Sequence, residues 1–197
     1  MHEELSPAGL AIIAISLDES VEAARACARD EVPAPLTYPV LVDRDHAWAE
    51  AYGVINVPAT VWVDEHDRVV RPPSIAPGDD KFIEFTKISA DVHHDALRRW
   101  VHDDVLPMDA AAVRDRRAPA DATLALARAE RRLAMHLLRE GHDDLGQEHL
   151  ARALALAPDD WTIHRGSMPV RGEDPFGEAF FDFYQRWEAA GRPGYDS

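Results

Sequence analysis

The chain holds a single cysteine, Cys27, and thiol chemistry is therefore the first chemistry to weigh. Cys27 stands between Ala26 and Ala28 in the middle of a predicted helix. Reactive thiolates are instead stabilised at helix N-termini or beside cations. One thiol alone excludes an intramolecular disulfide, a CxxC pair and a four-cysteine zinc site. We predict that Cys27 is a small core residue without a catalytic role.

The ten histidines raise the question of a metal site. No H-E-x-x-H motif is present, and the adjacent His93 and His94 project to different faces of a predicted helix. His142 and His149 flank the start of another helix, about two turns apart. Solvated surface histidines explain this distribution better than a shared ion. We therefore predict no metal site, no cofactor and no catalytic residue within the sequence.

The charge of the chain limits its partners. The formal net charge is −15, whereas proteins that bind nucleic acid or anionic membranes cluster Lys and Arg against phosphates. No apolar run is long enough to cross a bilayer, and residues 1–4 lack the basic and then apolar opening of a secretory signal. We expect a cytoplasmic protein that binds neither nucleic acid nor membrane, with an upstream signal or anchor as the alternative.

The first half of the chain alternates strands and helices. Residues 10–17 are nearly continuous in Ile, Leu and Ala, which predicts a buried parallel strand. Ser20 is a plausible cap for a helix that runs to Asp30, and residues 38–42 predict a second short strand. Asp45 is the expected cap of a helix that ends at Gly53. This order predicts an α/β fold with a parallel sheet.

The loop at Val57-Pro58 organises this half. Proline has no N–H for a sheet ladder and favours the first residue of a strand, and the residue before it is held extended. Residues 60–63 are β-branched or aromatic, and residues 64–67 supply turn chemistry before a second β run at residues 69–70. The pattern predicts a hairpin that is entered through a proline.

These segments resemble the thioredoxin-like thiol-disulfide oxidoreductases of the TlpA/ResA type and their AhpC/TSA-like peroxiredoxin cousins. The resemblance covers about the first half of the chain and implies a thioredoxin-like domain over residues 1–106. It also implies that Pro58 follows a cis peptide bond and faces the redox centre. The backbone of Val57 would then pair with substrate polypeptide, so Val57 and Pro58 are the predicted substrate-binding residues.

The resemblance also implies that a part of the fold is missing. The family begins with a strand and a helix whose N-terminus carries W-C-x-x-C, and residues 1–5 read as the end of that helix. The absent strand is an inner one, so its loss would leave unpaired backbone in the sheet. We expect an N-terminally truncated protein, inactive as given, with its CxxC or UxxC centre upstream of Met1. A selenocysteine codon read as a stop, a misassigned start and gene decay are alternative causes.

The second half is predicted to be helical. Residues 107–120 are rich in Ala, Arg, Asp and Pro and are interpreted as a linker, and residues 121–197 as a small all-α region. Two helices, residues 123–140 and 144–157, form a predicted hairpin. Its small and large residues follow a tetratricopeptide (TPR-like) pattern: Leu133, Ala134, Leu137, Gly141, Gly146, Leu150, Ala153 and Pro158.

An aromatic helix around residues 180–187 is expected to cover this hairpin. A cap that only packs and a groove that binds a peptide both remain open, because apolar residues at helical spacing are usually core.

Three functions from different classes follow. The favoured one is a thioredoxin-like redox protein, an oxidoreductase or peroxidase that acts on a polypeptide thiol or disulfide or on a small peroxide once it is extended upstream. The second is a non-catalytic thioredoxin-like and TPR-like module that binds a polypeptide. The third is a structural subunit that assembles through its aromatic helix. The oligomeric state is left open.

Overall fold

In the computed structural model of this protein, structure is described for residues 1–18, 20–30, 36–76, 78–81, 83–86, 88–116 and 121–191. The chain divides into two compact units, Met1–Arg117 and Ala118–Asp196. The first unit mixes strands and helices and the second is helical. None of the helices in these ranges is both long enough and apolar enough to span a bilayer.

The described part of the first unit contains four short strands and six α-helices. In chain order they are α1 (His2–Leu5), β1 (Ala14–Ser16), α2 (Val21–Asp30), β2 (Val40–Val42), α3 (Ala47–Tyr52), β3 (Ala59–Val63), β4 (Val69–Ile75), α4 (Ile83–Thr86), α5 (Ala90–Asp103) and α6 (Ala110–Arg116). The segment that was interpreted as a linker thus includes α6, which packs against β4.

The strands form two separate pairs among the described residues. β1 and β2 are parallel, with Ala14 opposite Val40 and Ser16 opposite Val42. β3 and β4 are antiparallel, which confirms the predicted hairpin. The prediction of a buried strand over residues 10–17 is wrong, since β1 is shorter and Ile13 and Ile15 are 59% and 37% exposed. Within the described part β1 has one neighbouring strand, so it is covered only in part.

Local hydrogen bonds begin the helices of this unit. The Ser20 hydroxyl accepts a hydrogen bond from the Ala23 N–H at 3.1 Å, which confirms Ser20 as the cap of α2. The predicted cap of α3 is wrong, because Asp43 takes this role and Asp45 does not. The buried Asp43 carboxylate accepts 2.9 Å hydrogen bonds from three backbone N–H groups, those of residues 47, 48 and 49. Gly53 ends α3 in a left-handed conformation, as predicted.

The core of the first unit surrounds Trp62 of β3. Trp62 is 4% exposed and is buried with Leu5, Val70 and Leu97, so α1, the hairpin and α5 share one core. The Trp62 ring stacks on that of Trp100 with centroids 5.1 Å apart.

The prediction that Cys27 is a core residue is wrong, because Cys27 is exposed. Helix α2 buries Ala24, while Ala26 and Ala28 are half-buried. The face of α2 that carries Cys27 therefore remains in solvent.

The second unit is built on a helical hairpin, as predicted. It consists of α7 (Ala122–Arg139), α8 (Asp143–Leu156), α9 (Trp161–His164) and α10 (Glu178–Ala189), with 3-10 turns at Arg165–Ser167 and Pro169–Arg171. A Cβ atom at Gly146 of α8 would lie 2.6 Å from Leu138 Cγ of α7 and 3.2 Å from the Ala134 carbonyl oxygen. Only glycine permits this approach of the two helices.

The remaining helices of this unit form two adjoining clusters. Ile163 of α9 is buried with Ala127 of α7 and Ala153 of α8. The aromatic helix α10 packs on α9, where the ring centroids of Trp161 and Trp187 are 4.5 Å apart. Helix α9 therefore links the hairpin to the aromatic cluster.

Replacement of Gly146 by alanine tests the close approach in the hairpin. Alanine favours an isolated helix over glycine by about 1 kcal/mol, but overpacking a core costs about 1–3 kcal/mol. We expect Gly146→Ala to lower the free energy of unfolding by about 1 kcal/mol in urea titrations. In a Leu138→Ala background, where the crowded side chain is absent, the same change should be neutral or stabilising. An equal cost in both backgrounds would contradict the contact.

Replacement of Asp43 by alanine tests the cap of α3. Loss of the three hydrogen bonds is expected to lower the free energy of unfolding by about 2 kcal/mol, since a lost N-cap costs up to this amount and the N–H groups lose their partner. Asp45→Ala is the matched control, because it removes a carboxylate from the same loop while the α3 N–H groups keep their hydrogen bonds to Asp43. Amide hydrogen exchange in α3 should rise in Asp43→Ala alone.

Candidate functional site

The loop at Val57-Pro58 lies between the end of α3 and the start of β3. Its peptide bond is cis, as the resemblance implies. The side chain of Val57 is 58% exposed, and Pro58 is exposed beside it. A large apolar residue thus projects into solvent directly before the strand that carries Trp62. The predicted role of Val57 and Pro58 in substrate binding stays a prediction.

Two backbone groups of this loop form hydrogen bonds within the chain. The Val57 N–H donates to the Asn56 Oδ1 atom at 2.9 Å, and the Pro58 carbonyl oxygen accepts from the Ala76 N–H at 3.2 Å. In the part of the chain that is described, β3 pairs with β4 and with no other strand. The other edge of β3 therefore has the geometry that an extended polypeptide could join by strand addition.

A polar cluster lies against the Trp62 side chain. Arg71 is opposite Trp62 in the hairpin, and its guanidinium carbon is 4.8 Å from the Trp62 ring centroid. The Arg71 Nη1–H group donates to the His93 Nδ1 atom at 3.3 Å. A guanidinium can only donate, so His93 accepts through Nδ1 and is neutral in this contact.

His93 corrects the prediction of solvated histidines, since it is 8% exposed. Burial lowers the pKa of His93 to about 4, with further lowering from the charges of Arg71 and His94. His149 is likewise only partly exposed and contacts Glu130. In both cases the partner lies on another helix or strand, which helical spacing alone does not reveal.

Sequence reasoning missed the Arg71–His93 contact. Twenty-two positions separate the two residues, and the packing of α5 on the hairpin brings them together. No motif surrounds either residue, so the sequence carries no signal for this pair. Cys27 lies on the exposed face of α2.

The described residues contain no group of three or more His, Cys, Asp or Glu side chains that could hold a metal ion. The loop itself offers backbone hydrogen-bonding groups and the exposed apolar side chain of Val57. The half-buried Arg71 guanidinium adds a positive charge over the Trp62 ring, opposite Trp62 in the hairpin.

The low pKa of His93 predicts a pH dependence of stability. Between pH 4 and 6.5 the folded chain binds fewer protons at His93 than the unfolded chain does. The free energy of unfolding should thus be highest above pH 6.5 and fall as the pH decreases to 4, by up to about 3 kcal/mol from this residue. His93→Phe should reduce this slope to the contribution of the other groups with a lowered pKa, such as His164, whereas His94→Phe should retain most of it, because burial is the largest cause of the shift. An NMR titration midpoint of His93 near 6.5 would contradict its burial.

Comparison with known proteins adds one finding. Residues 1–71 match the model of the AhpC/TSA family. No curated protein and no solved structure matches the chain. The matched residues run from α1 into β4 and include both Val57 and Pro58. The match supports a thioredoxin-like fold for the segment that carries the candidate site.

Proposed function

We propose that this chain is a part of a thioredoxin-like redox protein of the TlpA/ResA type, whose reactive centre is completed by residues outside these 197. The observation that carries the proposal is the AhpC/TSA match over residues 1–71. Its substrates are a polypeptide thiol or disulfide, or a small peroxide.

The need for a further reactive group follows from the chemistry. In thiol-disulfide exchange an attacking thiolate forms a mixed disulfide, and a second thiol then resolves it. Cys27 is the single cysteine and lies on the exposed face of α2, so it has no resolving partner within the chain. A cysteine or selenocysteine centre supplied from outside the sequence would provide both the nucleophile and the resolving thiol.

The loop at Val57-Pro58 supports a role in holding the substrate. An extended polypeptide that pairs with Val57 would gain backbone hydrogen bonds and a contact with an exposed apolar side chain. In the structure the Asn56 Oδ1 atom accepts the hydrogen bond from the Val57 N–H. The Asn56 side chain would have to rotate away before a substrate carbonyl could accept a hydrogen bond from the Val57 N–H.

A non-catalytic binding module is the second candidate. It is supported by two exposed leucines on α7, Leu126 and Leu133, whose separation of seven residues places them on one helical face. These side chains offer an apolar contact for a polypeptide partner, as the TPR-like pattern suggests.

Expression of the reading frame extended upstream of Met1 tests the proposed function. We expect dithiothreitol-coupled insulin reduction or peroxide consumption from the extended protein, and neither from the 197-residue chain, with or without Cys27→Ala. An extended protein that is inactive in both assays would favour the binding module. Activity of the 197-residue chain that is lost in Cys27→Ala would contradict the need for an external centre.

Val57→Asp in the extended protein tests the substrate loop. We expect about a tenfold loss of kcat/KM for insulin, because a charge replaces an apolar contact and disfavours pairing, with unchanged oxidation of dithiothreitol. Val63→Asp is the matched control, since Val63 is also an exposed valine of the hairpin. Equal losses in both variants would argue that the hairpin is merely destabilised.

A further inference from the structure

A cavity of about 850 Å³ lies in the first unit between α3, β4 and the segment from α5 to α6. Trp48 and Tyr52 form one wall, Val69 lies on β4, and Met108 and Val113 form the other wall. Ligand cavities of this size are typically lined by apolar and aromatic side chains with a few polar groups. The lining of this cavity has that composition.

The aromatic wall is held in place by the cap of α3. Trp48 and Tyr52 are one turn apart, with ring centroids at 6.2 Å, and the Trp48 backbone N–H donates to Asp43. Despite this fixed backbone the Trp48 side chain is 53% exposed. An exposed tryptophan beside other apolar residues forms an apolar patch of the kind that marks ligand-binding and interaction sites.

Two arginines and one aspartate line the cavity, and the two arginines differ in their hydrogen bonding. Arg68 lines it but is bonded to Asp64, which accepts from Arg68 Nε at 2.8 Å. Arg114 also lines it and makes no hydrogen bond or ion pair with the described part of the chain. One carboxylate, that of Asp67, faces the same space.

The surroundings of Arg114 add positive charge. Arg71 of β4 is half-buried, and its pKa is lowered by that burial and by the nearby charge of Arg116. β4 and α6 therefore present several guanidinium groups in a chain whose net charge is −15. Asp109 and Asp115 of the same segment carry the opposite charge, so the Arg114 guanidinium, which lines the cavity, is the group there that an anion would contact.

We propose that this cavity binds an anionic amphiphile, whose apolar chain lies between Trp48 and Met108 and whose carboxylate or phosphate head accepts hydrogen bonds from Arg114. Charge-assisted hydrogen bonds of a guanidinium to such heads are short and strong. The apolar walls would take the place of water around the chain. This site is independent of the redox proposal, because it uses neither Val57 nor Pro58.

The direct test is isothermal titration calorimetry of the 197-residue chain with dodecanoate below its critical micelle concentration. We expect saturable binding, about threefold to fourfold tighter for each added methylene from decanoate to dodecanoate, as burial of apolar groups dictates. Dodecanol should bind more weakly than dodecanoate, and dodecyl phosphate shows which head is preferred. Trp48→Ala should weaken every member of the series.

Charge variants separate the head contact from general electrostatics. Arg114→Gln should weaken dodecanoate about tenfold and leave dodecanol unchanged. Arg116→Gln is the matched control on the same helix, with the same charge change outside the cavity lining, and should alter dodecanoate binding less than twofold. Asp67→Asn should strengthen dodecanoate binding, because it removes the opposing charge.

Three results would overturn the proposal. They are the absence of saturable dodecanoate binding, equal affinities in the Arg114→Gln and original chains, and equal losses in Arg114→Gln and Arg116→Gln. The proposal would also be contradicted if an acidic amphipathic peptide bound and none of the fatty acids, dodecanol or dodecyl phosphate did. That result would assign the cavity to a protein partner.

Discussion

Burial of Trp62 is the interaction on which the first unit depends. Its indole is covered by side chains from α1, β4 and α5, stacks on Trp100 and supports the guanidinium of Arg71. Truncation of a buried tryptophan to alanine typically costs about 3–5 kcal/mol, a large part of the stability of a small domain. Because Trp62 lies on β3, this core also fixes the strand that begins immediately after Pro58. The exposed loop is thus anchored by a buried residue four positions later.

The two strand pairs differ in how well they are covered. Two-stranded sheets are marginal in water unless other elements pack on them. The β3–β4 hairpin has the core around Trp62, whereas Ile13, Ile15, Val40 and Leu41 leave much apolar surface exposed at β1 and β2. Among the described residues the hairpin is therefore the better covered of the two strand pairs.

Polar groups within the first unit act by holding backbone and rings in place. Asp43 fixes the start of α3 and so the position of Trp48 and Tyr52 at the cavity. Asp64 closes the hairpin turn through Arg68, and the hydrogen bond from that guanidinium lowers the pKa of Asp64 to about 2. Both carboxylates therefore order backbone beside the cavity, Asp43 at the start of α3 and Asp64 at the turn that carries Arg68.

The sequence by itself determined the features that depend on residues a few positions apart. Pro58 and the β-branched run after it predicted the hairpin, Ser20 predicted the start of α2, Gly53 predicted the end of α3, and helical spacing placed α7 and α8 within about a residue of their observed bounds. Turn residues, caps and periodicity act locally, so they can be identified in the sequence.

Only the tertiary structure decided which of these elements are covered. Asp43 rather than Asp45 caps α3 because the end of β2 presents its side chain to three N–H groups. His93 is buried and Cys27 is exposed because α5 packs on the hairpin while α2 buries little. Burial and pKa depend on neighbours that the fold brings from distant positions, and a pattern within one helix does not contain them.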